Sequence, residues 1–216
     1  MTDDAPPAPA SALELARALG DRVLAPDDVA PEAFALVEAA RDLVDAVVGT
    51  DVAPAARAAA ADELAAITAR LREERREPVI LLVRHDDGRI ENLSQAGGGR
   101  LNPQAPRLLF VDLSPDEVVA TCTLTAAHGG PPGKAHGGIV AGLLDEVLGV
   151  AAMVAGGAGL TAGLDVRYRA ATPYGAPLTI TARLTGRDGR KGFATGEIRA
   201  GDTVTAEGTA VFVRPA

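Results

Sequence analysis

Residues 135–156, AHGGIVAGLLDEVLGVAAMVAG, hold two groups able to do acyl chemistry on one helical segment. Gly137-Gly138 lies where the helix begins, and uncapped backbone N–H groups at the positive end of a helix dipole can bind a carbonyl oxygen gaining negative charge. Glycine also lets a ligand approach the backbone closely. Asp145 then interrupts the apolar helix two turns later, and a carboxylate on a buried surface is costly unless paired or used. The structural alternative is a simple turn at Gly137-Gly138 and a satisfied carboxylate at Asp145. Glu146, on a different face, is expected to be solvated or to meet a surface partner. Seven residues of helix from Gly138 to Asp145 rise about 10 Å at nearly one azimuth. One helix therefore cannot bring both groups to a single carbonyl. Two copies packed antiparallel about a two-fold axis can pair the glycine end of one with Asp145 of the other, so an active site of this kind requires a dimer.

Other chemistry is sparse. The chain has no Gly-x-Ser-x-Gly, no phosphate-binding Gly-x-x-x-x-Gly-Lys-Ser/Thr and no paired metal histidines,. One cysteine and three histidines are too few for a structural zinc cluster,. Neither a metal nor a cofactor is expected. Cys122, alternating with Ala120 and Leu124 in a strand pattern, reads as a buried structural thiol,. Gly97-Gly98-Gly99 precedes no helix pattern and reads as a flexible loop,.

The elements that must position these groups change character along the chain. Residues 1–10, MTDDAPPAPA, read as a disordered tail,, and residues 11–77 as a helical extension. Ser11 and Glu14 have capping-box spacing ahead of Leu15 and Leu19, with Gly20 as a stop,. A second helix should run from Pro31 to Gly49, and a third from about Pro54 to Arg76 with Leu64, Ile67 and Leu71 as its stripe,. Residues 78–216 switch to strand periodicity. Strand-like runs occupy 78–84, 108–113 and 117–125, and the long helix spans about 138–155. Four further strands then cover about 160–171, 177–187, 190–199 and 203–213, turning at Asp188-Gly189 and Gly201-Asp202,. A helix this apolar should be buried, wrapped by the curved sheet.

With the elements in order, the sequence resembles a family. A strand, His-Gly-Gly, a long helix with an Asp nine residues after the His, then Thr-Ala-Gly-Leu-Asp-Val-Arg-Tyr and a meander resemble the hotdog-fold thioesterases of the phenylacetate-pathway type. The likeness covers residues 90–216 and leaves out the N-terminal helices. It implies an α+β hotdog fold, an antiparallel sheet around one central helix, and an acyl-coenzyme A thioesterase acting as a homodimer or dimer of dimers. Carried over residue by residue, His136 shapes the turn and contacts the thioester region, while the Gly137 and Gly138 amides polarise the carbonyl. Asp145 of the partner chain is general base for water, or nucleophile. Thr161 either helps position the water or only starts a strand. His128 stands where some relatives have an amide side chain nearby, and reads as a loop histidine facing solvent. For the phosphates of coenzyme A, Arg190-Lys191 is the candidate contact, with Arg167 and Arg169 behind it, unless that hairpin is merely solvated. Alternative functions are a hotdog hydratase or dehydratase, and a non-catalytic acyl-CoA-binding module.

Charge bounds the partners. The whole chain of 216 residues carries a net −8, which argues against nucleic-acid or anionic-membrane binding. The acidity is local: residues 1–76 hold 15 acidic and 8 basic residues, whereas residues 161–216 hold 5 acidic and 8 basic ones. The N-terminus has no basic-then-apolar signal pattern and no charge-free span of about 20 apolar residues occurs. A cytoplasmic protein is the expectation.

Overall fold

The computed structural model describes residues 23–77, 79–157 and 159–214. The expected tail at 1–10 and the Ser11–Gly20 helix lie outside them.

Proline at the first helical position, with its pre-set φ, starts both N-terminal helices, α1 (Pro31–Gly49) and α2 (Pro54–Arg72),. They differ in what they bury. From α1, Ala33 and Phe34 pack on a small cluster of Val29, Val83 and Leu93, and Val37 is buried. No residue of α2 is buried. It stops at Arg72, short of the expected Arg76, because the Glu73 N–H bonds to the Arg70 carbonyl in a tightened last turn,. Strands β1 (Leu82–Arg84) and β2 (Ile90–Asn92) form a separate antiparallel hairpin, turning at Gly88 with φ 82°. Strand β2, with a single buried apolar residue, escapes the sequence pattern.

The main sheet contains β3 (Leu109–Leu113), β4 (Val118–Thr123), β5 (Leu160–Tyr168), β6 (Pro177–Asp188), β7 (Lys191–Ala200) and β8 (Thr203–Val213). Their spatial order is β3-β4-β6-β7-β8-β5, with every pair antiparallel. The expected hairpin turns hold, with Gly189 and Gly201 both at φ 56°, a conformation that favours glycine. Period-two alternation turns Val118, Ala120 and Cys122 of β4, Leu178, Ile180 and Ala182 of β6, and Ala206, Ala210 and Phe212 of β8 inward,. Across that face lies α3 (Gly137–Val154), burying Val140, Leu143, Leu144, Val147, Leu148, Ala151 and Ala152. Gly208 lets helix and sheet close up, since a Cβ there would stand 3.2 Å from Leu148 Cδ1. This is the hotdog architecture: one sheet around one helix.

The helix is not buried all round, as its composition led us to expect. Gly138 and Gly142 are exposed, and Ala141, Asp145 and Gly149 only half-buried. These positions form one stripe of small residues, and β5 beside it is a bare sheet edge. Among the described residues, α3 alone is long and apolar enough to cross a membrane, yet its large apolar side chains are the core of the sheet.

Candidate active site

His136, extended at φ −68° and ψ 136°, is the N-cap of α3. Its Nδ1 accepts the Gly138 N–H at 3.0 Å, and its carbonyl accepts the Ile139 N–H at 3.0 Å. A histidine can thus do here what Ser or Asp usually does at an N-cap. The consequence for the site is specific: the Gly138 amide is engaged within its own turn, whereas the Gly137 amide meets no acceptor among the described residues. From β5, Tyr168 Oη donates to the Gly137 carbonyl at 2.9 Å. A Cβ on Gly137 would stand 3.2 Å from that hydroxyl.

The loop before the helix is held from behind. His128 Nδ1 accepts the Thr125 N–H at 3.1 Å, the His128 carbonyl accepts the His136 N–H at 2.9 Å, and Asp45 of α1 accepts the Ala127 N–H at 3.3 Å. His128 therefore does not face solvent as expected. It is half-buried, and burial pushes its pKa below the ordinary histidine value against the raising effect of nearby Asp45.

At the other end of the site, Thr161 Oγ1 donates to Asp145 Oδ1 at 3.0 Å within the same chain. A β-bulge makes this possible. Thr161 and Tyr168 are seven residues apart and would point to opposite faces of a regular strand, but pairing with β8 skips a residue between Thr161 and Gly163. The extra residue restores both side chains to the α3 side.

Glu146 departs from the sequence reading. It is neither solvated nor at a free surface: Gln95 Nε2 donates to its Oε1, and a Cβ on Gly98 would stand 3.0 Å from its Cγ. Burial, reinforced by the Asp145 and Glu91 carboxylates and opposed by the Gln95 hydrogen bond, pushes its carboxyl up to about 7. The Gly97–Gly99 segment is likewise not a loose loop. Gly99 N–H bonds to the Gln95 carbonyl at 3.0 Å and Leu101 N–H to the Leu93 carbonyl at 2.7 Å. A Cβ on Gly99 would lie 2.6 Å from the Leu93 carbonyl oxygen, so the turn closes only with glycine. Cys122 is a buried thiol as expected, pushed by that burial to about 12.

The chain thus makes two clusters. His136, Gly137, Gly138 and Tyr168 gather at the helix start, and Asp145, Thr161, Glu146 and Gln95 two turns on. Lys191 and Leu160 pair with the same residue of β8, Val213, so the exposed Arg190-Lys191 turn shares the Asp145 end of the sheet. Arg167 alternates with the helix-facing Val166 and Tyr168 and pairs with Asp165 at 3.5 Å on the opposite face. Arg169 is bound to Glu207 at 2.7 Å. Shallow depressions lie on that outer face, one lined by Thr181, Arg183, Glu197 and Glu207. Among the described residues no group of three or more His, Cys, Asp or Glu can hold a metal. Tyr168, Gln95 and the bulge carry no local sequence signal of their roles.

A family model described as the thioesterase superfamily matches residues 132–213. A crystal structure described as a thioesterase superfamily protein is 38% identical, has a TM-score of 0.77 and covers 88% of this chain and 94% of its own. The Xenopus laevis protein named acyl-coenzyme A thioesterase THEM4 is 36% identical over 87 residues, 39% of this chain and 39% of that protein. Its Bos taurus namesake is 32% identical over 99 residues, 43% of this chain and 40% of that protein. The chain spans about two fifths of the length of these curated relatives.

Proposed function

The chain belongs to the thioesterase superfamily, and from that premise we propose that it hydrolyses an acyl-coenzyme A thioester to the free acid and coenzyme A. The observation that carries the reading is the Asp145 carboxylate on the open face of α3, oriented by Thr161 at 3.0 Å, on the same helix as the unpartnered Gly137 amide. Helix rise over the eight residues from Gly137 to Asp145 keeps these groups about 12 Å apart within one chain. The reaction therefore needs two copies, with bare strand β5 and the small-residue stripe of α3 as the surfaces that meet. A homodimer, or a dimer of dimers, then carries two equivalent sites.

In each site the thioester carbonyl oxygen lies against the Gly137 N–H of one subunit, where the helix dipole and the fixed amide favour the charge that develops on attack. Asp145 of the other subunit takes a proton from water as the oxygen bonds to the acyl carbon. Collapse of the tetrahedral intermediate breaks the C–S bond, and the proton returns from Asp145 to the leaving thiolate. If Asp145 attacks the acyl carbon directly instead, the C–S bond breaks, coenzyme A leaves as the thiolate and takes its proton from solvent, and water then cleaves the acyl anhydride to the free acid and the restored carboxylate. Single turnover in heavy-oxygen water separates the two, because only the anhydride route, opened by water at the aspartyl carbon, puts the label on Asp145 instead of on the product acid. Arg190 and Lys191 suit the nucleotide phosphates. Release of free thiol across a panel of aliphatic and aryl coenzyme A esters tests the reading; a folded dimer inactive on all of them would defeat it.

A further inference from the structure

Helix α1 and the segment behind it reach the catalytic turn through a continuous set of contacts. Arg41 of α1 donates to the Asn102 carbonyl at 3.0 Å, and its side chain is only 10% exposed. Arg107 binds Glu38 and Asp42 of α1 at 2.5 and 2.6 Å, and Arg100 stands over the Phe34 ring at 5.3 Å. These ties hold the segment 93–107, whose tight glycine turn presses Gln95, Gly97 and Gly98 onto Glu146, the residue after Asp145. A half-buried carboxyl gripped by an amide and roofed by backbone does not serve solubility, and it sits on none of the surfaces assigned above to substrate.

We propose that Glu146 is a positioning residue for Asp145, and that Gln95, presented by the braced N-terminal segment, is its clamp. The clamp fixes the turn of α3 from which Asp145 projects, and it keeps a second carboxyl beside the base. The charged groups around Glu146 are Asp145 on its own helix and Glu91 on β2, the latter already bound to His85 at 2.8 Å and Arg100 at 2.9 Å. Burial alone raises Glu91, but the Arg100 and His85 hydrogen bonds outweigh it and leave Glu91 below its ordinary value. Glu146, its carboxyl pushed up to about 7 chiefly by burial, ionises near neutrality. When it ionises, a second negative charge stands beside the proposed base and favours proton transfer from water, so kcat should climb through about pH 7. This role rests on Asp145 acting as proposed above.

The test compares wild type, Glu146→Gln and Gln95→Leu in kcat and KM against pH, on a coenzyme A ester that wild type cleaves. Glu146→Gln keeps a partner for Gln95 but has no proton to lose. Its kcat rise near neutrality should vanish, leaving kcat about fivefold below wild type at pH 8.5 with KM changed less than about twofold. Gln95→Leu removes a bond that favours the ionised form, so its inflection should move to higher pH. It also keeps the experiment decisive should the helix variant fold poorly. A second readout needs no turnover. A carboxyl whose folded value lies above its ordinary 4.5 contributes stability below that value and loses it as pH rises through about 7. The wild-type Tm should therefore fall more steeply from about pH 5 to 8 than that of Glu146→Gln. Superimposable pH profiles, equal Tm slopes, or an altered KM with unchanged kcat would overturn the proposal while the thioesterase reading stands. A wild type that cleaves no thioester defeats both.

Discussion

The two ends of the α3 stretch proposed to be catalytic are built by different means. At the glycine end the cap is local: His136 satisfies Gly138 and Ile139 from within three residues, and the amide left over, Gly137, is set by backbone geometry. At the acid end nothing local holds the groups. Asp145 is met by Thr161 from β5, and Glu146 by Gln95, 51 residues earlier in the chain. A donor made of backbone tolerates change elsewhere, whereas a base aimed by distant side chains inherits every fault in the elements that bring them. The difference teaches where this protein is sensitive.

The largest effect should come from the acid end itself. Asp145→Asn is expected to lower kcat roughly 10²- to 10⁴-fold, the usual worth of a positioned general base, while circular dichroism and solution mass stay at wild type; an undiminished rate would put the base elsewhere. Joining the two ends across subunits gives the next test. Asp145→Ala and Gly137→Val homodimers should each be inactive, the valine because its side chain meets Tyr168. A one-to-one mixture re-forms one intact site per mixed dimer, so about a quarter of wild-type activity should return. Mixed dimers that form without recovery would break the cross-subunit arrangement.

Smaller changes sharpen the contrast between local and distant support. Thr161→Val should cost about tenfold in kcat through misaimed Asp145, with little change in Tm. Tyr168→Phe should do the reverse, costing on the order of 1 kcal/mol of stability for one lost hydrogen bond and little in kcat. Equal effects of both on kcat would erase the distinction between the ends. The smallest effect belongs to the exposed cations: Arg190→Ala/Lys191→Ala should raise KM about threefold for coenzyme A esters and leave short thioesters lacking the nucleotide unaffected. Equal losses on both would remove the phosphate assignment.

Much of the fold was legible because it rests on local rules. Proline at 31 and 54, glycine at 189 and 201, the two-residue alternation of β4, β6 and β8 and the apolar run of α3 each announce an element. The whole of α1 and β8 matched expectation to the residue. The His-Gly-Gly and Asp spacing was legible too, since helix rise alone shows that Gly138 and Asp145 cannot share one carbonyl. Misreadings came where a residue's surroundings lie far away in the chain. Glu146 looked solvated because nothing near it in sequence covers it, His128 looked exposed because α1 was not placed against its loop, and Gly97–Gly99 looked loose because its target was unknown.

By itself, then, the sequence determined which elements form and which residue types stand at the start of α3 and two turns along it. Tertiary structure alone decided which glycine amide stays free, that a bulge turns Thr161 and Tyr168 to the same side, and that Gln95 closes over Glu146. The physical reason is one of range. Propensity, capping and periodicity act over a few residues, whereas burial, charge coupling and the aim of a side chain depend on whatever the folded chain carries past that point.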